Sequence, residues 1–223
     1  MLKKNRFFSW LLATGFWLLT TGYWLLFCIE PKITSKQIEF RKRENKIIFK
    51  ENVKIFDDRN ILFADYVVKD EKNKIVEMRG NINAYYAVDE TGSIKLNTEF
   101  GKWDIEKNKA ELWGSPFAVY RSSSGDEVEI HSNEVFYDGN FYILKFYGDV
   151  LLTYSSNTIR GNHCEYYYKD KMAVFKKDGD IVPVIDYSDI HKANFIADQI
   201  TFNIPEKKLI LEKNVYCKVF PGD

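Results

Sequence analysis

Histidine is the side chain in this sequence best able to bind a metal or to transfer a proton near neutral pH, and the chain has three. His131, His163 and His191 are scattered, and none has a Glu or Cys at the spacing of a metal motif such as H-x-x-x-H with a third ligand. The pattern therefore predicts strand or surface histidines rather than a metal site.

A second set of candidate chemical groups is an acidic or amide residue that recurs along the chain. It ends the segments LFAD (62–65), LNTE (96–99), IHSN (130–133), IRGN (159–162) and FIAD (195–198). Each segment has an apolar residue, any residue, a small residue and then Asp, Glu or Asn. Recurring carboxylates resemble paired general acids. Because the series accepts Asn and recurs with the fold, we expect it to bond turn backbone or to form a side-chain ladder. Its members are Asp65, Glu99, Asn133, Asn162 and Asp198.

Other signatures of catalysis are also missing from the sequence, which has neither a Gly-rich phosphate loop nor a G-x-S-x-G elbow. The sequence predicts a protein that is not an enzyme and that needs no cofactor. Any ATP chemistry in its pathway must belong to a partner.

The recurring segments belong to a repeat. The small residues Ala64, Thr98, Ser132, Gly161 and Ala197 are separated by 34, 34, 29 and 36 positions. A second register of turns followed by apolar alternation recurs with nearly the same period: KENVKIF (50–56), RGNINAYY (79–86), WGSPFAVY (113–120), YGDVLLTY (147–154), DGDIVPVI (178–185) and EKNVYCKVF (212–220).

Alternation of apolar and polar residues predicts strands with one buried face, and no amphipathic helix pattern competes after residue 40. A unit of about 33 residues cannot bury its face alone, so stacked units are expected to form an elongated all-β body. A parallel β-helix carrying an enzyme or adhesin is a rival, but coils of about 20–25 residues fit this period poorly.

The alternation also predicts which residues face inward, where they form a closed core or line an apolar trough. They are Phe49, Val53, Ile55, Met78, Ile82, Ala84, Leu112, Phe117, Val119, Phe146, Val150, Leu152, Leu211 and Val215.

Residues 7–29 form an uncharged, mostly apolar run that is long enough to span a bilayer. Lys3, Lys4 and Arg6 precede it, which places residues 1–6 in the cytoplasm and the domain after the span in the periplasm or at the exterior. The predicted organisation is a transmembrane anchor at 7–29, a linker at 30–37 and a periplasmic domain at 38–223. A cleaved signal peptide and lipidation of Cys28 are less consistent with the length of the run and with Phe27 before the cysteine.

Composition excludes one class of partner. With 32 basic and 32 acidic residues, the chain lacks the basic field that nucleic-acid binding requires. Cys164 and Cys217 fall at different phases of the repeat, so two buried thiols are favoured over a disulfide.

The phrases LFADYVV … MRGNINAYY and FIADQITF … LEKNVYCKVF resemble the OstA-type repeat of the lipopolysaccharide-transport proteins. A single N-terminal span before the repeat is similar to the LptC arrangement in this OstA/LptA/LptC family. The resemblance implies a twisted, open β-jellyroll whose interior binds acyl chains. The implied partners are lipopolysaccharide, LptF- and LptG-like subunits of an inner-membrane ABC transporter, and a soluble periplasmic LptA-like protein. Insertions at 89–93 and 122–125 depart from the family pattern.

The implied function is an inner-membrane-anchored component of the lipopolysaccharide export bridge, which accepts lipid from the transporter and passes it to the soluble partner. The last strand, with Val215, Cys217 and Val219, is the expected partner edge. The alternative is a membrane-tethered β-repeat scaffold or assembly protein that binds only protein, because a closed core and a lipid trough have the same alternation.

Overall fold

The computed structural model describes residues 31–56, 60–89, 92–188 and 192–220. The chain divides into units Met1–Lys32 and Ile33–Asp223, and the second holds nearly all the described residues. The predicted anchor at 7–29 and His191 lie outside them. No helix in the described ranges has the length and apolar character needed to cross a membrane.

The described part of the chain is a series of β-strands with one short 3-10 turn at Lys42–Glu44. The strands are β1 (Lys32–Thr34), β2 (Gln37–Arg41), β3 (Lys46–Phe56), β4 (Asn60–Asp70), β5 (Ile75–Asp89), β6 (Gly92–Asp104), β7 (Lys109–Trp113), β8 (Phe117–Ser122), β9 (Glu127–His131), β10 (Glu134–Asp138), β11 (Ile143–Tyr154), β12 (Asn157–Tyr167), β13 (Met172–Lys176), β14 (Val184–Ser188), β15 (Lys192–Ile196), β16 (Gln199–Asn203), β17 (Lys208–Glu212) and β18 (Tyr216–Val219).

The long strands change neighbours halfway along their length. In β6, residues 92–97 pair with β8 whereas residues 100–104 pair with β7. In β11, residues 143–147 pair with β10 whereas residues 151–154 pair with β9. The pairing register also shifts near the middle of four strand pairs, namely β3 with β4, β4 with β5, β5 with β6 and β11 with β12. The strands therefore run through two layers and turn at a corner between them.

Layer A contains β2, β7, β10, β13, β16 and β17 together with residues 46–50, 66–70, 75–79, 100–104, 143–147 and 163–167. Layer B contains β8, β9, β14, β15 and β18 together with residues 53–56, 60–64, 82–87, 92–97, 150–154 and 157–161. The strands within each layer pair in the antiparallel sense. The rival parallel β-helix does not fit this structure, and the predicted all-β class is confirmed.

The corners are made by two successive residues with positive φ. Examples are Gly80-Asn81 at +79° and +47°, and Gly148-Asp149 at +73° and +48°. Glycine suits the first position because a Cβ on Gly80 would lie 2.6 Å from Oδ2 of Asp65.

The recurring acidic or amide series holds these corners together, as the sequence predicted for a structural ladder. The Nδ2 group of Asn81 donates to Oδ2 of Asp65 at 2.8 Å, and Asn214 donates to Asp198 at 2.6 Å. The same type of bond joins Asn162 to Asp178 and Asn133 to Asp149. Glu99 lies at the equivalent place, against the corner at Gly114.

The two layers pack face to face around two apolar clusters. A smaller cluster lies between β3, β4 and β5 and includes Phe49, Val53 and Met78. A larger cluster extends from β6 to the turn after β16 and includes Leu112, Phe146 and Leu152. Both clusters take side chains from both layers, so the inner faces of layers A and B meet along the domain.

Candidate functional site

The inner faces of the two layers contain most of the residues predicted to face inward. Phe49, Val53, Ile55, Met78 and Ile82 belong to the smaller cluster, whereas Leu112, Phe146, Val150 and Leu152 belong to the larger one. Ala84 and Leu211 are partly buried against the larger cluster.

Phe117 and Val119 were predicted to face inward, and this orientation is wrong. In the β6–β8 pair, Ala118 lies opposite Leu96 and Tyr120 opposite Ile94, and all four belong to the larger cluster. The alternating residues Phe117 and Val119 therefore face away from the interior, although Val119 is itself buried.

The reason for this shift is Pro116. It is buried, two residues after Gly114, as Ile82 is after Gly80 and Val150 after Gly148. Pro116 takes the first inward position after the corner, so the inward set continues through Ala118 and Tyr120. Counting positions from the corner, rather than from the first large apolar residue, would have given this result.

The residues predicted to form the C-terminal partner edge lie on β18 and directly before it. Cys217 pairs with Phe195 and Val219 with Ala193, which are inner-face residues of β15, so Val215, Cys217 and Val219 share the inner face. Val215 is nevertheless 53% exposed and Val219 62% exposed, because no further strand covers them in the described structure. Cys217 is an exposed free thiol and Cys164 a buried one, so the prediction of two buried thiols holds for Cys164 alone.

The N-terminal end has a similar exposed edge, which is formed by β2. Strand β2 pairs with β3, with Ile38 opposite Phe49 and Phe40 opposite Ile47. Both side chains therefore continue the inner face, yet Ile38 is 50% and Phe40 73% exposed. The strands begin within the segment predicted as a linker, and the alternation of Ile38 and Phe40 is the sequence signal for β2.

The interior between the layers is packed with side chains. Val53, Val67, Val76 and Phe146 have no measurable exposure. On the side opposite the corners, Tyr168 from the turn after β12 contacts Tyr86 of layer B, with ring centroids 5.2 Å apart. Burial raises the pKa of the Tyr168 hydroxyl. A guest molecule would have to displace these contacts.

One ion pair also joins the layers on that side. Nζ of Lys207, in the turn between β16 and β17, lies 3.0 Å from Oδ1 of Asp126, in the turn between β8 and β9. Asp126 also accepts hydrogen bonds from Ser124 at 2.9 Å and Tyr154 at 3.1 Å. The hydrogen bond from Lys207, followed by that from Ser124, lowers the pKa of the Asp126 carboxyl.

On the outer face of layer A, Glu165 is the centre of a charged cluster. Burial raises its pKa, but hydrogen bonds from Lys176 at 2.6 Å and Tyr167 at 2.7 Å outweigh that effect and hold the pKa at about 2. Burial lowers the pKa of His163, which stacks on Tyr147 with ring centroids 4.6 Å apart. These groups sit on the sheet surface, away from the inner faces.

His131 and His163, the two histidines that the structure describes, lie on strands, as the sequence predicted. His131 is exposed and stacks on Phe117 at 4.3 Å between ring centroids. Among the described residues, no three His, Cys, Asp or Glu side chains are grouped so that they could hold a metal ion.

Comparison with known proteins gives one family. Residues 32–172 match the family described as LptA/(LptD N-terminal domain) LPS transport protein. No curated protein sequence matches the chain. Matching solved structures include the crystal structure of LptH, described as the LptA homologous periplasmic component of the conserved lipopolysaccharide transport device from Pseudomonas aeruginosa. It is 9% identical over 66% of this chain and 82% of that chain, and its TM-score of 0.31 is too low to support an inference.

Proposed function

Because this chain belongs to the family of LptA and LptD N-terminal domains, which are lipopolysaccharide transport proteins, we propose that it carries lipopolysaccharide acyl chains between its two layers. In this proposal the protein is the inner-membrane-anchored periplasmic component of the export bridge. It accepts lipid from an ATP-driven transporter with LptF- and LptG-like subunits and passes it to a soluble LptA-like partner.

The observation that carries the proposal is the apolar inner face, which reaches an open strand edge at both ends. Ile38 and Phe40 continue it at β2, and Val215 directly before β18 and Val219 on β18 continue it at the other end. An acyl chain between the layers could therefore pass to a second sheet added at either edge without entering water.

In this proposal the packed interior opens to admit an acyl chain. When an acyl chain enters, inner side chains exchange contacts with one another for contacts with the lipid and stay out of water. The acyl chain itself leaves water, which is worth about 0.8 kcal/mol per methylene. The net gain is this transfer free energy minus the cost of separating the layers and ordering the chain.

The test is photo-crosslinking in cells from single positions along β7, β8 and β11. A crosslinking amino acid at Leu152, 1% exposed on the inner face, is expected to capture lipopolysaccharide. The matched controls are Lys109 and Phe117, which face outward and are expected to capture none. Equal capture at Leu152 and Lys109 would contradict lipid carriage.

A second candidate function is a membrane-tethered scaffold that binds only protein. The closely packed interior favours it, because Phe146, Val150 and Leu152 already fill the space between the layers. The same experiment separates the two functions. A scaffold gives protein crosslinks from β18 and no lipid crosslink from Leu152, whereas a carrier gives both.

The membrane anchor is part of the proposal and rests on the apolar run at 7–29. The full-length chain is expected to remain in the membrane fraction after carbonate extraction. Release of the chain, together with loss of residues 1–29 by mass spectrometry, would indicate a cleaved signal peptide instead.

A further inference from the structure

Aromatic side chains lie next to one another on the outer face of layer A. Phe100 and Trp113 stack with ring centroids 5.9 Å apart, and Phe136 meets Tyr147 edge to face at 5.5 Å. Phe100, Trp113 and Phe136 are 38%, 40% and 37% exposed. Exposed rings gathered in one patch indicate a binding surface, since scattered single rings would be ordinary.

A groove of about 750 Å³ crosses the same face from β5 to β11, and Phe136 and Tyr147 are part of its lining. This volume is in the usual range of about 300–1,000 Å³ for small-molecule sites. The charged lining consists of four lysines and four carboxylates, so the groove has no net charge that would favour a polyanion or a polycation. The charged residues of the lining are Lys102, Lys107, Lys109, Lys145, Asp104, Glu111, Glu134 and Asp138.

Some of these charged groups are satisfied within the protein and others are available to a ligand. Lys107 pairs with Asp104 at 2.7 Å, and Lys109 pairs with Asp138 at 2.9 Å. The side chains of Lys102, Glu111 and Glu134 make no hydrogen bond or ion pair with another residue of the described ranges. The groove thus offers free donors and acceptors beside exposed rings.

The backbone hydrogen-bonding groups below the groove are already paired with neighbouring strands. Strands β6, β7, β10 and β11 are each paired on both sides, so a peptide could not add to them as a further strand. A ligand at this site therefore has to be bound by side chains, through the faces of aromatic rings and through polar groups. A pyranose has this complementarity, because its polarised C–H face stacks on the negative face of an aromatic ring while its hydroxyls bond carboxylates and ammonium groups.

From this arrangement we infer that the outer groove of layer A binds a neutral oligosaccharide. Phe136 supplies the stacking face, and Lys102, Glu111 and Glu134 bond the hydroxyl groups. The site lies on the face opposite the inner trough and does not rest on the proposed lipid function.

The experiment uses the full-length chain in a detergent without a sugar headgroup, titrated calorimetrically with maltotriose, cellotriose and triacetylchitotriose. At least one trisaccharide is expected to bind at millimolar concentration or below. Phe136→Ala is expected to weaken that binding about tenfold, which corresponds to about 1.4 kcal/mol. Tyr85→Ala, which removes a ring 47% exposed on layer B, is the matched control and is expected to leave the affinity unchanged.

A second variant, Glu111→Gln, replaces one exposed carboxylate acceptor by an amide donor with little effect on folding, and it is expected to weaken binding of the same trisaccharide. The inference is overturned if none of the three sugars binds, or if Phe136→Ala and Glu111→Gln bind as the wild type does. An extended octapeptide that binds in a Phe136-dependent way, with no sugar binding, would identify a peptide site and also overturn it.

Discussion

The beginning and the middle of the described domain use the same repeat but are packed to different depths. Phe49 on β3 and Phe146 on β11 both lie on the inner face of layer A, two residues before a corner. In the described ranges, Phe49 belongs to a cluster of eight buried residues and Phe146 to one of twenty-three. Position within the repeat decides which face a residue takes, and the number of neighbouring units decides how much that residue contributes.

Removing these two rings is expected to give the largest effect. Phe146→Ala should lower the free energy of unfolding by about 3–5 kcal/mol, because a fully buried ring leaves a cavity between the layers. Phe49→Ala should cost less, since Phe49 is 7% exposed and its outer neighbour Ile38 is half exposed. Urea unfolding of both variants measures the difference. Equal costs would mean that the two clusters act as one core.

The corners supply the next contrast. Gly148 has φ +73°, and a Cβ there would lie 2.6 Å from Nδ2 of Asn133, so Gly148→Ala should cost about 1–3 kcal/mol. Glu51 occupies the same place in the first corner with φ +61° and tolerates a side chain. Glu51→Gly should therefore change stability by less than about 1 kcal/mol. Thermal unfolding of the pair distinguishes a strained corner from an open one, and a costly Glu51→Gly would show that the first corner depends on its side chain.

The sequence predicted the face of a residue well and its exposure poorly. Repeat spacing placed Met78, Phe146 and Val150 inside, because alternation and corner chemistry are local properties. It failed at Phe117, where Pro116 takes the first inward position. It also missed Ile38, because exposure at an end depends on whether another strand lies beyond it. The outer groove was not predicted, since its side chains meet only when β5 to β11 are aligned.

Charge on the outer face gives a third comparison. The pKa of Glu165 is about 2 in the folded protein, below its usual value of 4.5. Its stabilisation is therefore complete above about pH 4.5 and is lost as pH falls toward 2. Glu165→Gln should cost about 1.5 kcal/mol at pH 7 and much less at pH 2.5. Glu77 on β5 is the control, because it is exposed and lies in the same row of paired strand positions as Glu165. Glu77→Gln should leave the free energy of unfolding unchanged at both pH values. A pH-independent cost for Glu165→Gln would rule out its charge as the cause. Denaturant unfolding at both pH values measures this.

The smallest effect on stability, and the sharpest on assembly, is expected at β18. The amide of Phe220 donates to the carbonyl of Lys192, so by alternation the amides of Cys217 and Val219 point away from β15. Cys217→Pro removes a donor from the free edge while leaving the bonds to β15, whereas Cys217→Ala keeps that donor and changes only the side chain. Because stacked units interact mainly with their neighbours, both variants should have a free energy of unfolding close to that of the wild type.

In a pull-down with a soluble LptA-like protein, Cys217→Ala should retain the partner and Cys217→Pro should lose it. A folded Cys217→Pro chain that binds the partner at the wild-type level would contradict edge pairing at β18. A partner strand would then have to add elsewhere, and the exposed edge of β2 at the other end of the domain offers such a place.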